Sequence, residues 1–152
     1  MQQIRKTVEI HAPVSQVFQY VCDPKHLPEI WPNVTEVRNV EAAGDGSCTF
    51  EWTYKLSKMT FQGCCTQKVV SPDEYVETQT DAPVPSSFRW TFEPKAGWCE
   101  VTFEVDFTVD VPVIGRLGEA AAAIVNDREL NAMLASLRNA LEVPLGARAR
   151  VA

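Results

Sequence analysis

Val8 and Ile10 alternate with Glu9 and His11, the two-residue period of a half-buried strand. The period then changes. Pro13 suits a first helical position, where its missing N–H would be unpaired anyway. Val14, Val17, Phe18 and Val21 follow as a single apolar stripe at helical spacing. Pro24 ends this helix at about Cys22 or Asp23. His26 to Ile30 predicts one further turn, and the next strand starts over Val34 to Glu41. Turn-forming clusters then separate five runs of alternating character: Ala43-Gly44-Asp45-Gly46, Ser57-Lys58, Ser71-Pro72-Asp73, Ala82-Pro83-Val84-Pro85 and Pro94-Lys95-Ala96-Gly97. Within the runs, Phe50, Trp52, Tyr54 and Leu56 share one face. Phe61, Cys65 and Val69 share another, as do Phe88, Trp90 and Phe92, and Val101, Phe103, Val105 and Phe107. Alternation this regular means one wet face and one covered face, which predicts an antiparallel sheet.

A long helical pattern closes the chain, from about Val113 to Leu141, with Leu130, Leu134, Leu137 and Leu141 on one stripe. Extended backwards, the stripe reaches Asp127 or Asn126, then Ala123, then Glu119. The leucine half should pack on the sheet, and the alanine half should leave room. Pro144 and Gly146 stop the helix. Residues 1–144 are therefore expected to form a single domain, with residues 145–152 a frayed tail.

The opening Ala12-Pro13-Val14 with Val17-Phe18 and Val21, then Asp23-Pro24, then Leu27 to Trp31 leading into Val34 and Val37, resembles the polyketide cyclase/dehydrase and coenzyme-Q-binding group of the START-like, birch-pollen-allergen-like (SRPBCC) superfamily. The resemblance extends over nearly the whole chain as an order of elements. It implies an α+β helix-grip fold: a curved antiparallel sheet of about six to seven strands wrapped on a long C-terminal helix, with two short helices after the first strand. It implies an apolar cavity between sheet and helix. It does not imply a reaction, because one fold hosts many functions.

Charge and cysteine usage narrow the partners. The net charge is −6 and the basic residues are scattered, so neither nucleic acid nor an anionic membrane surface is an expected partner. No apolar run is long enough to span a membrane. The start MQQIRKTVEI has no apolar signal core, and the five cysteines are odd in number and irregular in spacing, which together predict a cytoplasmic, reduced protein. Cys64 and Cys65 are adjacent and point to opposite faces of a strand. No metal-ligand spacing, phosphate loop, dinucleotide glycine fingerprint or serine-nucleophile elbow is present, so neither a metal nor a cofactor is expected. His26 and Glu29 lie near Trp31, and the simpler reading is a solvated turn in which Trp31 plugs one end of the sheet.

The expected ligand-binding set is Trp52, Tyr54, Phe61, Gln67, Trp90, Phe92 and Phe103 from the sheet, with Ala123, Asn126 and Leu130 from the helix. Any single ring is explained by core packing. Together, facing a helix of small residues, the rings predict an apolar pocket with a few polar groups. Three functions remain open. The first is binding of a hydrophobic or aromatic small molecule such as a lipid, polyketide or quinone. The second is an aromatase/cyclase-type enzyme, for which no catalytic residue stands out. The third is a non-catalytic module that regulates a partner protein.

Overall fold

The computed structural model describes residues 2–56, 58–81, 85–107 and 127–142. The element order is β1 (Gln2–Ile10), α1 (Val14–Cys22), a 3-10 turn (Pro24–His26), α2 (Leu27–Ile30), β2 (Val34–Ala42), β3 (Ser47–Leu56), β4 (Met59–Ser71), β5 (Tyr75–Thr80), β6 (Ser86–Pro94), β7 (Cys99–Phe107) and α3 (Asp127–Leu141). The seven strands form one antiparallel sheet in the order β1-β7-β6-β5-β4-β3-β2. Six strands follow the helices: the one starting at Val34 and the five alternating runs that come after the turn clusters. The run between Ser71-Pro72-Asp73 and Ala82-Pro83-Val84-Pro85 is β5, whose inward Val76, Thr78 and Thr80 are buried although two of them are threonines. The alanine-rich helical stretch expected over residues 113–126 and the tail at 145–152 lie outside the described residues.

The period-two pattern turns one sheet face inward. Phe50, Trp52 and Tyr54 on β3, Cys65 and Gln67 on β4, Phe88, Trp90 and Phe92 on β6, and Val101, Phe103 and Val105 on β7 are all buried. Cys64 is exposed while Cys65 is buried, as their adjacency on a strand requires. The side chains of Leu56 and Phe107 are not among those described. Leu130, Met133, Leu134, Leu137 and Leu141 of α3 complete the core with Val17 and Val21 of α1 and Ile30 of α2.

Two details shape the sheet. The β2–β3 register shifts between Arg38 and Glu41, and Asn39 there takes a φ of 53° while its amide donates to the Glu51 carboxylate. This bulge bends the β2 edge. The β6–β7 turn needs Gly97 at φ 81°, a conformation costly for a residue with a Cβ.

Candidate functional site

The interior of the sheet is organised around Trp31. Helix α2 is one turn long and ends where Trp31 adopts an extended backbone, φ −114° and ψ 96°. Its N–H still donates to the Leu27 carbonyl at 2.8 Å, and its own carbonyl accepts from Val34 N–H at 2.9 Å. The backbone is thus pinned on both sides, and the side chain projects into the concavity. Its ring stands edge-on to four others, with centroids 5.7 Å from Trp52, 5.7 Å from Tyr54, 5.4 Å from Phe88 and 6.1 Å from Phe103. Such edge-to-face contacts are favourable beyond the burial they bring. Trp31 is 2% exposed. It plugs the sheet, as the spacing around His26 and Glu29 suggests, but from the middle rather than from one end.

Behind this plug a cavity of about 10 Å³ remains, lined by Trp31, Trp52, Gln67, Thr78, Trp90 and Phe103 among others. That is room for roughly one water molecule. Gln67 is the polar wall. Its amide Nε2 donates to the Cys22 carbonyl at 2.7 Å, satisfying the exposed end of α1 and tying it to β4.

Five of the expected site residues therefore face the ring cluster or its cavity: Trp52, Tyr54, Gln67, Trp90 and Phe103. Phe92 is buried under α1, edge-on to Phe18 at 5.5 Å. Phe61 is half-buried and borders an open surface groove with Lys58, Met59 and Thr60. Leu130 is buried in the α3 core. Ala123 and Asn126 lie outside the described residues. The expected set omitted Trp31, which carries no periodic signal because it sits in a connection. It also omitted Phe88, though this ring shares the face of Trp90, and Thr78 on β5.

Two interior oxygens stand apart. Tyr54 Oη and Glu129 Oε2 are shielded from solvent without a hydrogen-bond partner among the described residues. Burial first, and the Glu129 charge second, push the Tyr54 phenol well above its ordinary value of 10.0, with the Trp31 indole pulling the other way. Helical spacing missed Glu129 because the stripe was drawn through Leu130. Yet Glu129, Met133 and Leu137 are spaced by one turn each, and the latter two are fully buried.

Neither histidine reaches this interior. His11 bonds Glu9 at 2.8 Å on the surface, and His26 Nδ1 meets the Tyr20 carbonyl at 2.7 Å while stacking on the Tyr20 ring. Glu29 accepts from the Tyr20 hydroxyl at 2.8 Å. His26 and Glu29 therefore latch α1 to α2. Among the described residues no group of three or more His, Cys, Asp or Glu converges in a way that could hold a metal ion. An open concavity of about 330 Å³ lies at the β2 bulge around Asn39, Glu41, Glu51 and Cys64. None of the shielded, unpartnered side-chain oxygens among the described residues lies in it.

A family profile described as polyketide cyclase / dehydrase and lipid transport matches residues 1–142. The chain belongs to this family. Among solved structures, it is similar to the Zhui aromatase/cyclase from Streptomyces sp. R1128, with 16% identity and a TM-score of 0.76 over 99% of this chain and 96% of that one. It is also similar to a START superfamily protein from Mycobacterium smegmatis, with 18% identity and a TM-score of 0.73 over 92% and 97% of the two chains. No curated protein matches. At these identities the likeness establishes the helix-grip fold, in agreement with the curved seven-stranded antiparallel sheet and its C-terminal helix. No helix among the described residues is long and apolar enough to cross a membrane.

Proposed function

We propose that the chain binds a hydrophobic or aromatic small molecule between the sheet and α3, and that Trp31 yields its place to the ligand. The observation that carries this reading is the origin of the filling ring. Sheet and helix present rings and leucines, yet the centre of the cluster is filled from a short connection. Turning that side chain breaks neither of the two backbone hydrogen bonds that pin Trp31. A ligand ring can take over its edge-on contacts. An aromatic group burying about 200 Å² gains on the order of 5 kcal/mol. That lies between the energies of millimolar and micromolar dissociation constants, before the cost of moving Trp31.

The family's description and the aromatase/cyclase among the similar structures support a second reading, in which the same interior folds a poly-β-ketone chain into a reactive geometry. Any interior acid–base step would then fall to Tyr54 or Glu129, the two unpartnered groups near the rings. A partner-regulating module has less support: among the described residues, Val70 is the one large apolar side chain that is exposed, so no apolar docking patch is formed.

Titration with the neutral fluorophore N-phenyl-1-naphthylamine tests the first reading. Saturable one-to-one binding is expected, and a purely linear response would contradict it. Incubation with a poly-β-ketone mimic separates the two readings: a pure binder returns it unchanged, whereas a cyclase converts it.

A further inference from the structure

We propose that Gln67 and Thr78 form the polar end of the ligand site and hold a neutral hydroxyl group on the bound molecule. The Thr78 O–H donates to the hydroxyl oxygen, and the hydroxyl proton goes to Gln67 Oε1. The inference rests on the reading of the interior as a ligand site and narrows it to a class of ligand.

Strand pairing brings the two residues together. Gln67 on β4 lies directly opposite Thr78 on β5 in the antiparallel register, so both side chains leave the same face of the sheet. Opposed residues hold their Cβ atoms about 4.5–5.5 Å apart, close enough for one guest oxygen to bridge both side chains. The next residue in this row across the sheet is Phe88 on β6, whose ring centroid lies 5.4 Å from that of Trp31. Gln67 and Thr78 line the small cavity behind Trp31 together with Trp52, Trp90 and Phe103. The polar pair therefore sits beside the ring that yields to the ligand.

The hydrogen-bonding capacity of the pair is only partly used. Gln67 commits its amide nitrogen to the Cys22 carbonyl. Among the described residues, its Oε1 and the Thr78 hydroxyl have no hydrogen-bond partner. Both residues are more than nine-tenths buried, at 7% and 6% exposure. Neither oxygen is among the fully shielded, unpartnered atoms, so each keeps an open side, and the cavity supplies it. A buried polar group without a partner costs more than an ordinary hydrogen bond returns. Two such groups on the wall of an apolar pocket are what fixes a guest's orientation.

The chemistry of the pair selects its guest. A glutamine oxygen only accepts, whereas a threonine hydroxyl donates or accepts. A ketone or ether would satisfy Thr78 and leave Gln67 Oε1 bare. A guest hydroxyl satisfies both at once. No charged side chain among the described residues lines the cavity, so an ionised carboxylate would be buried there without a counter-charge. An apolar body with an alcohol or phenol is thus favoured over a fatty acid or a plain hydrocarbon.

Three ligands of one shape separate these cases: naphthalene, 2-naphthol and 2-naphthoate, each titrated into the full chain near neutral pH by calorimetry or competition with the fluorophore. The naphthol should bind about tenfold tighter than naphthalene, the combined effect of two neutral hydrogen bonds, and the naphthoate weaker than either. Thr78→Val keeps the shape and removes the hydroxyl, and should shrink the naphthol advantage to about threefold, the share of one hydrogen bond. Its melting temperature should not fall, because the lost oxygen has no partner in the free protein. Thr78→Ser restores the hydroxyl and should restore the naphthol advantage. Equal binding of naphthalene and naphthol by the unaltered chain would overturn the anchor while leaving the cavity reading intact, and so would a naphthol advantage untouched by Thr78→Val. Failure of all three ligands to bind would overturn both.

Discussion

Gln67 on β4 donates its side-chain amide to the backbone carbonyl of Cys22 at 2.7 Å, so a strand residue caps the end of helix α1 from across the core. The contact explains why a glutamine sits on the buried face at 7% exposure. Replacing it with leucine leaves the Cys22 carbonyl without this donor. Gln67→Leu should therefore destabilise the fold by about 1–3 kcal/mol. A urea titration should show a lower midpoint with an unchanged slope.

Leu134 and Trp31 distinguish packing from plugging. Leu134 lies in the α3 seal at 4% exposure, and Leu134→Ala should cost about 2–5 kcal/mol with no gain in ligand affinity. Trp31→Ala should also destabilise the free protein, by about 3–5 kcal/mol, since it empties the centre of the ring cluster. Unlike Leu134→Ala, it should recover most of that loss on saturation with N-phenyl-1-naphthylamine, read as a rise in melting temperature. Equal rescue of both variants would show that the fluorophore fills generic holes.

Burial pushes the Cys22 and Cys65 thiols up to about 12 from an ordinary 9.0, with a smaller push on Cys22 from Cys48. Between these values the unfolded chain releases thiol protons that the folded chain retains. The stabilisation is therefore complete below about pH 9 and is lost as pH rises towards 12. Urea midpoints should fall steadily above about pH 9, and Cys22→Ala with Cys65→Ala should flatten that fall. At mildly alkaline pH a thiol reagent should label the exposed Cys64 first, and Cys64→Ser should remove the fast phase.

On the outer face, Arg89 contacts Asp106 at 2.5 Å and Glu104 at 3.5 Å, with all three side chains less than a quarter exposed. Removing the cation leaves two carboxylates side by side. Arg89→Met should cost about 1–3 kcal/mol, between the values for surface and buried pairs. Adding Asp106→Asn should restore part of it, which a double-mutant cycle by urea unfolding would quantify.

The sheet was legible because its inward rings repeat every second residue, which placed Trp52, Tyr54, Gln67, Trp90 and Phe103 on one face. β5 was bounded by its turn clusters, but its inward Thr78 and Thr80 are polar in type though buried in place, so its buried face carried no apolar signal. Trp31 could be read as a plug, but not as the centre of the site, since nothing periodic fixes a ring that hangs from a connection. Glu129 was invisible for a different reason. A stripe through Leu130 and Leu134 does not show how wide the buried face of α3 is, and that width depends on the curvature of the sheet beneath it. The partner of Gln67 is a backbone carbonyl, which no side-chain pattern encodes.

The central claim is that Trp31 gives way to an apolar ligand, and its indole N–H reports on this directly. In a two-dimensional nitrogen–proton spectrum titrated with N-phenyl-1-naphthylamine, the Trp31 indole signal should move furthest, followed by Trp52. Trp98, stacked on His11 away from the ring cluster, should stay in place. A ligand that binds saturably while the Trp31 signal remains fixed, or that shifts Trp98 instead, would contradict the account.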